Sequence, residues 1–236
     1  IEKTKEFVDS RNFLAEFFKN NYGCKGSVDE ILNNCHKYIK EISDEKINFI
    51  IVSIINEFKK KYKMDELVYE SSKKFISNLL GKDIASQKNP NIVFQHPYST
   101  RTSELHTDAP ANSFYEVVSW VPLVDCYSSK SFYILDKQNS KKLREKHLSS
   151  DYSSWSELRE EAINNAIHLK IKYGYALFFW SGLLHGSVIN TTDESRWSYN
   201  VRFKNLFSPA GMKEPLAFYR VLSKSALTEL AVEEKY

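Results

Sequence analysis

No stretch of the 236 residues approaches the roughly 18 consecutive apolar residues of a membrane-spanning helix. Cysteine is scarce, with Cys24, Cys35 and Cys126 showing no CxxC spacing, which excludes both a disulfide framework and a zinc ribbon. Charge of one sign is lacking as well. The formal net charge is +3, and lysines are spread among Asp and Glu, with "KKKYK" the one basic run. A nucleic-acid surface needs clustered basic residues, so that class of partner is excluded too. The chain opens at Ile1 without a signal-like segment. These absences describe a cytoplasmic protein of a reducing compartment, with neither membrane nor nucleic acid as partner.

At 27.5 kDa, residues 1–236 make one domain with a well-buried core. Aromatics reach 14%, which suits a core built partly from sheet. Up to residue 88 the apolar positions recur at helical spacing: Phe7, Phe13, Leu14, Phe17 and Phe18, then Ile47, Ile51, Ile54 and Phe58. Ser27 and Glu30 have the spacing of a capping box, and Gly81 stands as a helix stop. Residues 89–207 read differently. "NIVFQHP", "FYEVVSWVPLVDC", "SFYILD", "LKIKYGYALFFW", "SVINTT" and "RWSYNVRF" are rich in β-branched and aromatic residues with partial alternation. A short helix opened by a Ser154–Glu157 cap interrupts them, and residues 208–236 read as a helical tail from Lys213 onward. Many short strands without regularly intervening helices predict an α+β chain: a double-sheet jelly roll flanked by N-terminal helices and a C-terminal helix.

"SELHTDAP" carries the first chemistry. In an extended segment His106 and Asp108 point to one face, so an imidazole and a carboxylate meet at one point. His185, in "SGLLHGSVIN", supplies a third ligand. Eleven residues beyond it begins "RWSYNVRF", where Arg196, Ser198, Asn200 and Arg202 alternate with Trp197, Tyr199, Val201 and Phe203. Two imidazoles and one carboxylate on one side of a metal form the facial arrangement of non-haem Fe(II) oxygenases, with the opposite positions open. Such iron needs a chelating co-substrate. A dicarboxylate such as 2-oxoglutarate chelates through its keto-acid end, and Arg196 has the fork geometry to anchor its far carboxylate, with Ser198 adding a hydrogen bond. His96 is the other candidate ligand, but nothing stands near it at metal spacing. His36, His147 and His168 read as surface residues.

The block from His106 to Phe203 resembles the 2-oxoglutarate/Fe(II) dioxygenase superfamily, in its phytanoyl-CoA hydroxylase-like branch: "HTD", "HGSVIN" and "RWS" match its motifs. "ELHTDAPANSFYEVVSWVPLVDCYSSKSFYIL" further resembles the dioxygenases found sporadically in carbohydrate and aminoglycoside gene clusters, the streptomycin-cluster type. The resemblance implies a double-stranded β-helix, or cupin-like jelly roll. It implies His106, Asp108 and His185 as iron ligands, and Arg196 with Ser198 as the 2-oxoglutarate anchor. It also brings Ser187 and Trp120 beside the co-substrate and Gln95 as an amide donor to the keto acid, although core packing explains Trp120 and backbone bonding Gln95 equally well. Asn200 and Arg202 would reach the substrate. The "PGSH" segment of many relatives is replaced here by "ILDKQNSKKL". Asp108 argues against the halogenating subclass, which gives up the carboxylate.

The implied activity is oxidation, most often hydroxylation, of a small polar substrate with O2, Fe(II) and 2-oxoglutarate, releasing succinate and CO2. A sugar, nucleotide-sugar or aminocyclitol is the first expectation and an amino-acid-like or lipid-derived substrate the second. A homo-oligomer is compatible with the sequence. Two rivals remain at this point: a cupin metalloenzyme that works without 2-oxoglutarate, and a non-catalytic carbohydrate-binding jelly roll.

Overall fold

In the computed structural model, which describes residues 1–149 and 154–234, four helices precede the sheets: α1 (Lys5–Tyr22), α2 (Val28–Asn34), α3 (Asp44–Lys59) and α4 (Met64–Leu80). The expected stop and start signals are used. Ser27 and Glu30 form the reciprocal capping box of α2, and Gly81 ends α4 at φ 86°, a backbone conformation costly for any residue with a Cβ. The buried positions of α1 are Phe7, Ser10, Arg11, Leu14, Ala15 and Phe18, one stripe at helical period.

The strands are β1 (Ile84–Gln87), β2 (Asn91–Gln95), β3 (Glu116–Pro122), β4 (Phe132–Ile134), β5 (Ile167–His168), β6 (Leu177–Trp180), β7 (His185–Ser187), β8 (Arg196–Asn205) and β9 (Tyr219–Ser223). Two short helices, α5 (Lys137–Ser149) and α6 (Arg159–Asn164), stand between β4 and β5, and α7 (Pro215–Phe218) and α8 (Ala226–Glu233) flank β9. Every pairing is antiparallel. One sheet runs β6-β3-β8-β1-β9, with β2 also on β8; the other runs β5-β4-β7. From β3 to β8 the chain thus passes back and forth between two sheets, as a cupin-like jelly roll requires.

Four expectations are corrected. Residues 84–87 form a strand rather than the end of the helical region: "IASQ" is buried on both faces and so lacks the alternation that would reveal it. The C-terminal part is not wholly helical, since β9 pairs with β1 there. "SVINTT" continues β7 only as far as Ser187. At Ser154 the hydroxyl meets Ser156 instead of capping, and Trp155–Leu158 form a 3-10 turn before α6.

Strand β8 joins the two halves of the molecule. Its apolar face lies under the helices: Trp197 meets Phe18 at 5.4 Å between ring centroids, and Tyr199 meets Phe58 at 5.6 Å. Trp197 Nε1 donates to the Leu32 carbonyl at 3.0 Å. Trp197, Tyr199, Val201 and Phe203 are fully buried, each worth about 1.5–3 kcal/mol on burial for side chains of this kind. The opposite face is thereby pointed between the sheets.

Candidate active site

His106 and His185 come together through backbone. Each donates its amide to the other's carbonyl at 3.0 Å, an isolated antiparallel bridge that pins the "HTD" segment to β7. Just beyond it, the amides of Asp108 and Ala109 both donate to the Ser181 carbonyl, at 3.0 and 3.1 Å. One ligand atom from each of His106, Asp108 and His185 then lies within 4.8 Å of the others. The imidazole rings stand 4.3 Å apart.

The protonation pattern suits a cation. His106 Nδ1 lies 2.7 Å from the Glu104 carbonyl and His185 Nδ1 lies 2.9 Å from that of Leu183. A carbonyl only accepts, so Nδ1 carries a proton in each ring and Nε2 is the nitrogen left to face a metal. Burial, with His106 beside it, pushes His185 down to about 4, so its ring is neutral near pH 7. At Asp108, which is 8% exposed, burial works to raise the carboxyl, but the Arg202 guanidinium outweighs it and the net shift is downward. Asp108 Oδ2 is buried with no hydrogen-bond partner among the described residues. An ionised carboxylate oxygen is left so at a cost, and a cation between two free imidazole nitrogens removes that cost. The donor set, two nitrogens and one oxygen with no thiolate, fits iron.

A cavity of about 190 Å³ opens beside the triad. It is smaller than the ~300–1,000 Å³ of pockets for drug-sized ligands. A larger depression of about 1060 Å³ lies near Phe75 and Tyr175, but it has no residue of the triad, so volume does not pick the site. Buried Trp120 and Phe132 pack edge-to-face at 4.8 Å in the cavity wall, while exposed Asn91 and Ser103 stand on its solvent side. Arg196, 4% exposed, reaches into it. Its Nη1 donates to the Ser131 carbonyl at 2.8 Å, its Nε has no partner, and among the described residues no carboxylate lies within 4.0 Å of it. A buried guanidinium without a counter-ion is unfavourable unless an anion joins it.

The other expected residues divide. Ser187, Trp120, Asn200 and Arg202 line the cavity, and Ser198 sits fully buried between Arg196 and Asn200 on the same face of β8. Gln95 does not line it; its amide donates to the Val188 carbonyl at 2.9 Å, the backbone role. Asp108 and Gln87 hold the guanidinium of Arg202 at the cavity wall. His96 bonds the Pro97 carbonyl and stands outside the triad. Of the three histidines read as surface residues only His168 is exposed; His36 is half-buried against Ser195 and His147 packs on Trp155. Asn91 and Ser103 were not anticipated. Asn91 was within reach, since it pairs with Asn200 in the β2–β8 register and shares its face.

Residues 57–198, more than half of the sequence, match the phytanoyl-CoA dioxygenase (PhyH) family. The chain belongs to that family. It is therefore a non-haem iron oxygenase that uses 2-oxoglutarate and O2, and the rival readings of a 2-oxoglutarate-independent cupin and a binding module fall away. The match spans both histidines, Asp108 and Arg196, and stops at Ser198, before Asn200 and Arg202. Similar solved structures include the non-haem monooxygenase ThoJ as its nickel complex, with TM-score 0.52 and 13% identity over 94% of this chain and 78% of that one. The apo form of ThoJ gives 0.51 and 13% over 92% and 76%. Iron-bound HygX from Streptomyces hygroscopicus gives 0.45 and 13% over 70% and 71%. At such identities the likeness to ThoJ speaks to the fold alone. No curated protein matches the sequence significantly. Among the described residues of this PhyH-family chain, no helix is long and apolar enough to cross a membrane.

Proposed function

We propose that His106, Asp108 and His185 hold the iron, that Arg196 with Ser198 binds the far carboxylate of 2-oxoglutarate, and that the enzyme hydroxylates or otherwise oxidises a sugar, nucleotide-sugar or aminocyclitol. The observation that carries the ligand assignment is the convergence of the three donor atoms within 4.8 Å. When bound, iron with 2-oxoglutarate and O2 supplies an oxidant able to take hydrogen from carbon, with succinate and CO2 as by-products. The chain's own contribution is placement. The carbonyls of Glu104 and Leu183 fix both imidazole tautomers, and Arg196 fixes one end of the dicarboxylate. Trp120, Phe132 and Phe179 keep the cavity wall apolar and limit water there.

The substrate class rests on resemblance to the carbohydrate-cluster enzymes. The carboxamides of Asn91 and Asn200, opposite one another and both on the cavity, suit hydroxyl-bearing molecules. The three buried thiols fit a cytoplasmic setting. The test begins anaerobically, adding Fe(II) and then 2-oxoglutarate and following the visible charge-transfer band of the chelate. The wild type gives the band, Asp108→Ala lacks it, and Arg196→Ala requires far more 2-oxoglutarate. A normal band in Asp108→Ala would overturn the ligand assignment. Succinate release stimulated by sugar phosphates, nucleotide-sugars or aminocyclitols supports the substrate class; stimulation by amino acids or acyl thioesters alone overturns it.

A further inference from the structure

The two oxygens of Asp108 are treated differently. Oδ1 accepts from Arg202 Nη2 at 2.5 Å, while Oδ2 is buried and has no partner among the described residues. The guanidinium is itself held from behind, because Arg202 Nη1 donates to Gln87 Oε1 at 3.1 Å. Gln87 is oriented in turn. Its Nε2 donates to the Asn89 carbonyl at 2.8 Å, which leaves Oε1 to face Arg202. The contact follows from sheet register, since β1 runs beside β8 with Ser86 opposite Phe203, one residue from each partner. The result is a chain of three side chains, Gln87 to Arg202 to Asp108, ending on the carboxylate that points at the two imidazoles.

A free carboxylate can chelate a metal through both oxygens and take two of its positions. One whose outer oxygen is occupied by a fixed cation offers the other oxygen alone. With two imidazoles, that leaves three positions for a keto acid and O2. We infer that Arg202 is a positioning residue: backed by Gln87, it holds Asp108 Oδ1 so that Oδ2 alone faces His106 and His185. The inference rests on reading Asp108 as an iron ligand. It replaces the expectation that Arg202 contacts substrate, and the two roles differ in what they predict. An arginine that binds substrate leaves metal affinity untouched, and one that only packs the core changes melting temperature without changing the metal site of the folded protein.

The test is an anaerobic titration of the whole chain with Co(II), followed by its d–d absorption, with folding of each variant checked by circular dichroism. Arg202→Gln is expected to weaken Co(II) binding by about 10–100-fold, the usual loss when a group orienting a metal ligand is removed, and to shift the absorption bands. Arg202→Lys restores part of the affinity, and Gln87→Leu gives a smaller loss in the same direction. Wild-type affinity and spectrum in Arg202→Gln, with binding lost in Asp108→Ala, would overturn the positioning role and leave the ligand assignment standing. Wild-type binding in Asp108→Ala would remove both. Should Arg202→Gln not fold, Gln87→Leu decides, and an unchanged affinity there counts against the role.

Discussion

The two faces of β8 obey opposite rules. Outward, Trp197, Tyr199, Val201 and Phe203 are fully buried under helices, and the Trp197 indole and Tyr199 hydroxyl both find partners. Inward, among the described residues, Arg196 and Arg202 each keep a buried, unpartnered Nε, and Arg196 has no counter-ion. One strand thus serves stability on one side and holds unsatisfied charge on the other. Buried polar groups left open in this way collect where a protein binds something.

Breaking the outward face should cost most. Trp197→Ala is expected to lower unfolding free energy by about 3–5 kcal/mol, from lost burial and the cavity left behind. Urea melts measure this, and the fraction that remains folded should bind Fe(II) and 2-oxoglutarate as before. On the inward face the sign reverses. Arg196→Met replaces an uncompensated buried cation with an apolar chain of similar length, which is neutral or stabilising by up to about 4 kcal/mol. The same variant should lose 2-oxoglutarate affinity, read by titration of the iron complex. Destabilisation without loss of affinity would erase the contrast between the faces.

The smallest effect concerns the support beneath the strand's start. His36 Nδ1 lies 2.7 Å from Ser195 Oγ, and burial, with Lys37 nearby, pushes the ring from 6.5 down to about 4. The unfolded chain therefore binds this proton first. The contribution of His36 is fully present above about pH 6.5 and is lost as pH falls toward 4. His36→Gln should flatten the stability curve in that window, measured by melts at several pH values. Half-exposure keeps the change modest.

Much of this contrast was legible in the letters. "RWSYNVRF" alternates at period two, and a strand has no choice but to send such residues to opposite faces. The spacing of His106 and Asp108 worked likewise. The strands β1 and β9 were not legible. The first is buried on both faces and so does not alternate; the second is five residues between helical segments, and its place depends on β1. Gln95 and Arg202 show a different limit. Each is a polar residue on or beside the inward face, and only the neighbour across the sheet decides whether its side chain turns to backbone, to a carboxylate or into the cavity.

The sequence by itself determined the residue types and local spacing: a His-x-Asp pair, a lone histidine, an arginine strand and the helices that would cover its apolar side. Those follow from periodicities of two and 3.6, which act between near neighbours. The tertiary structure decided that His185 bridges to His106, that Arg196 is left without a counter-ion among the described residues and that Arg202 is paired. Those outcomes depend on strand register between segments far apart in the chain, where a shift of one residue turns every side chain to the other face.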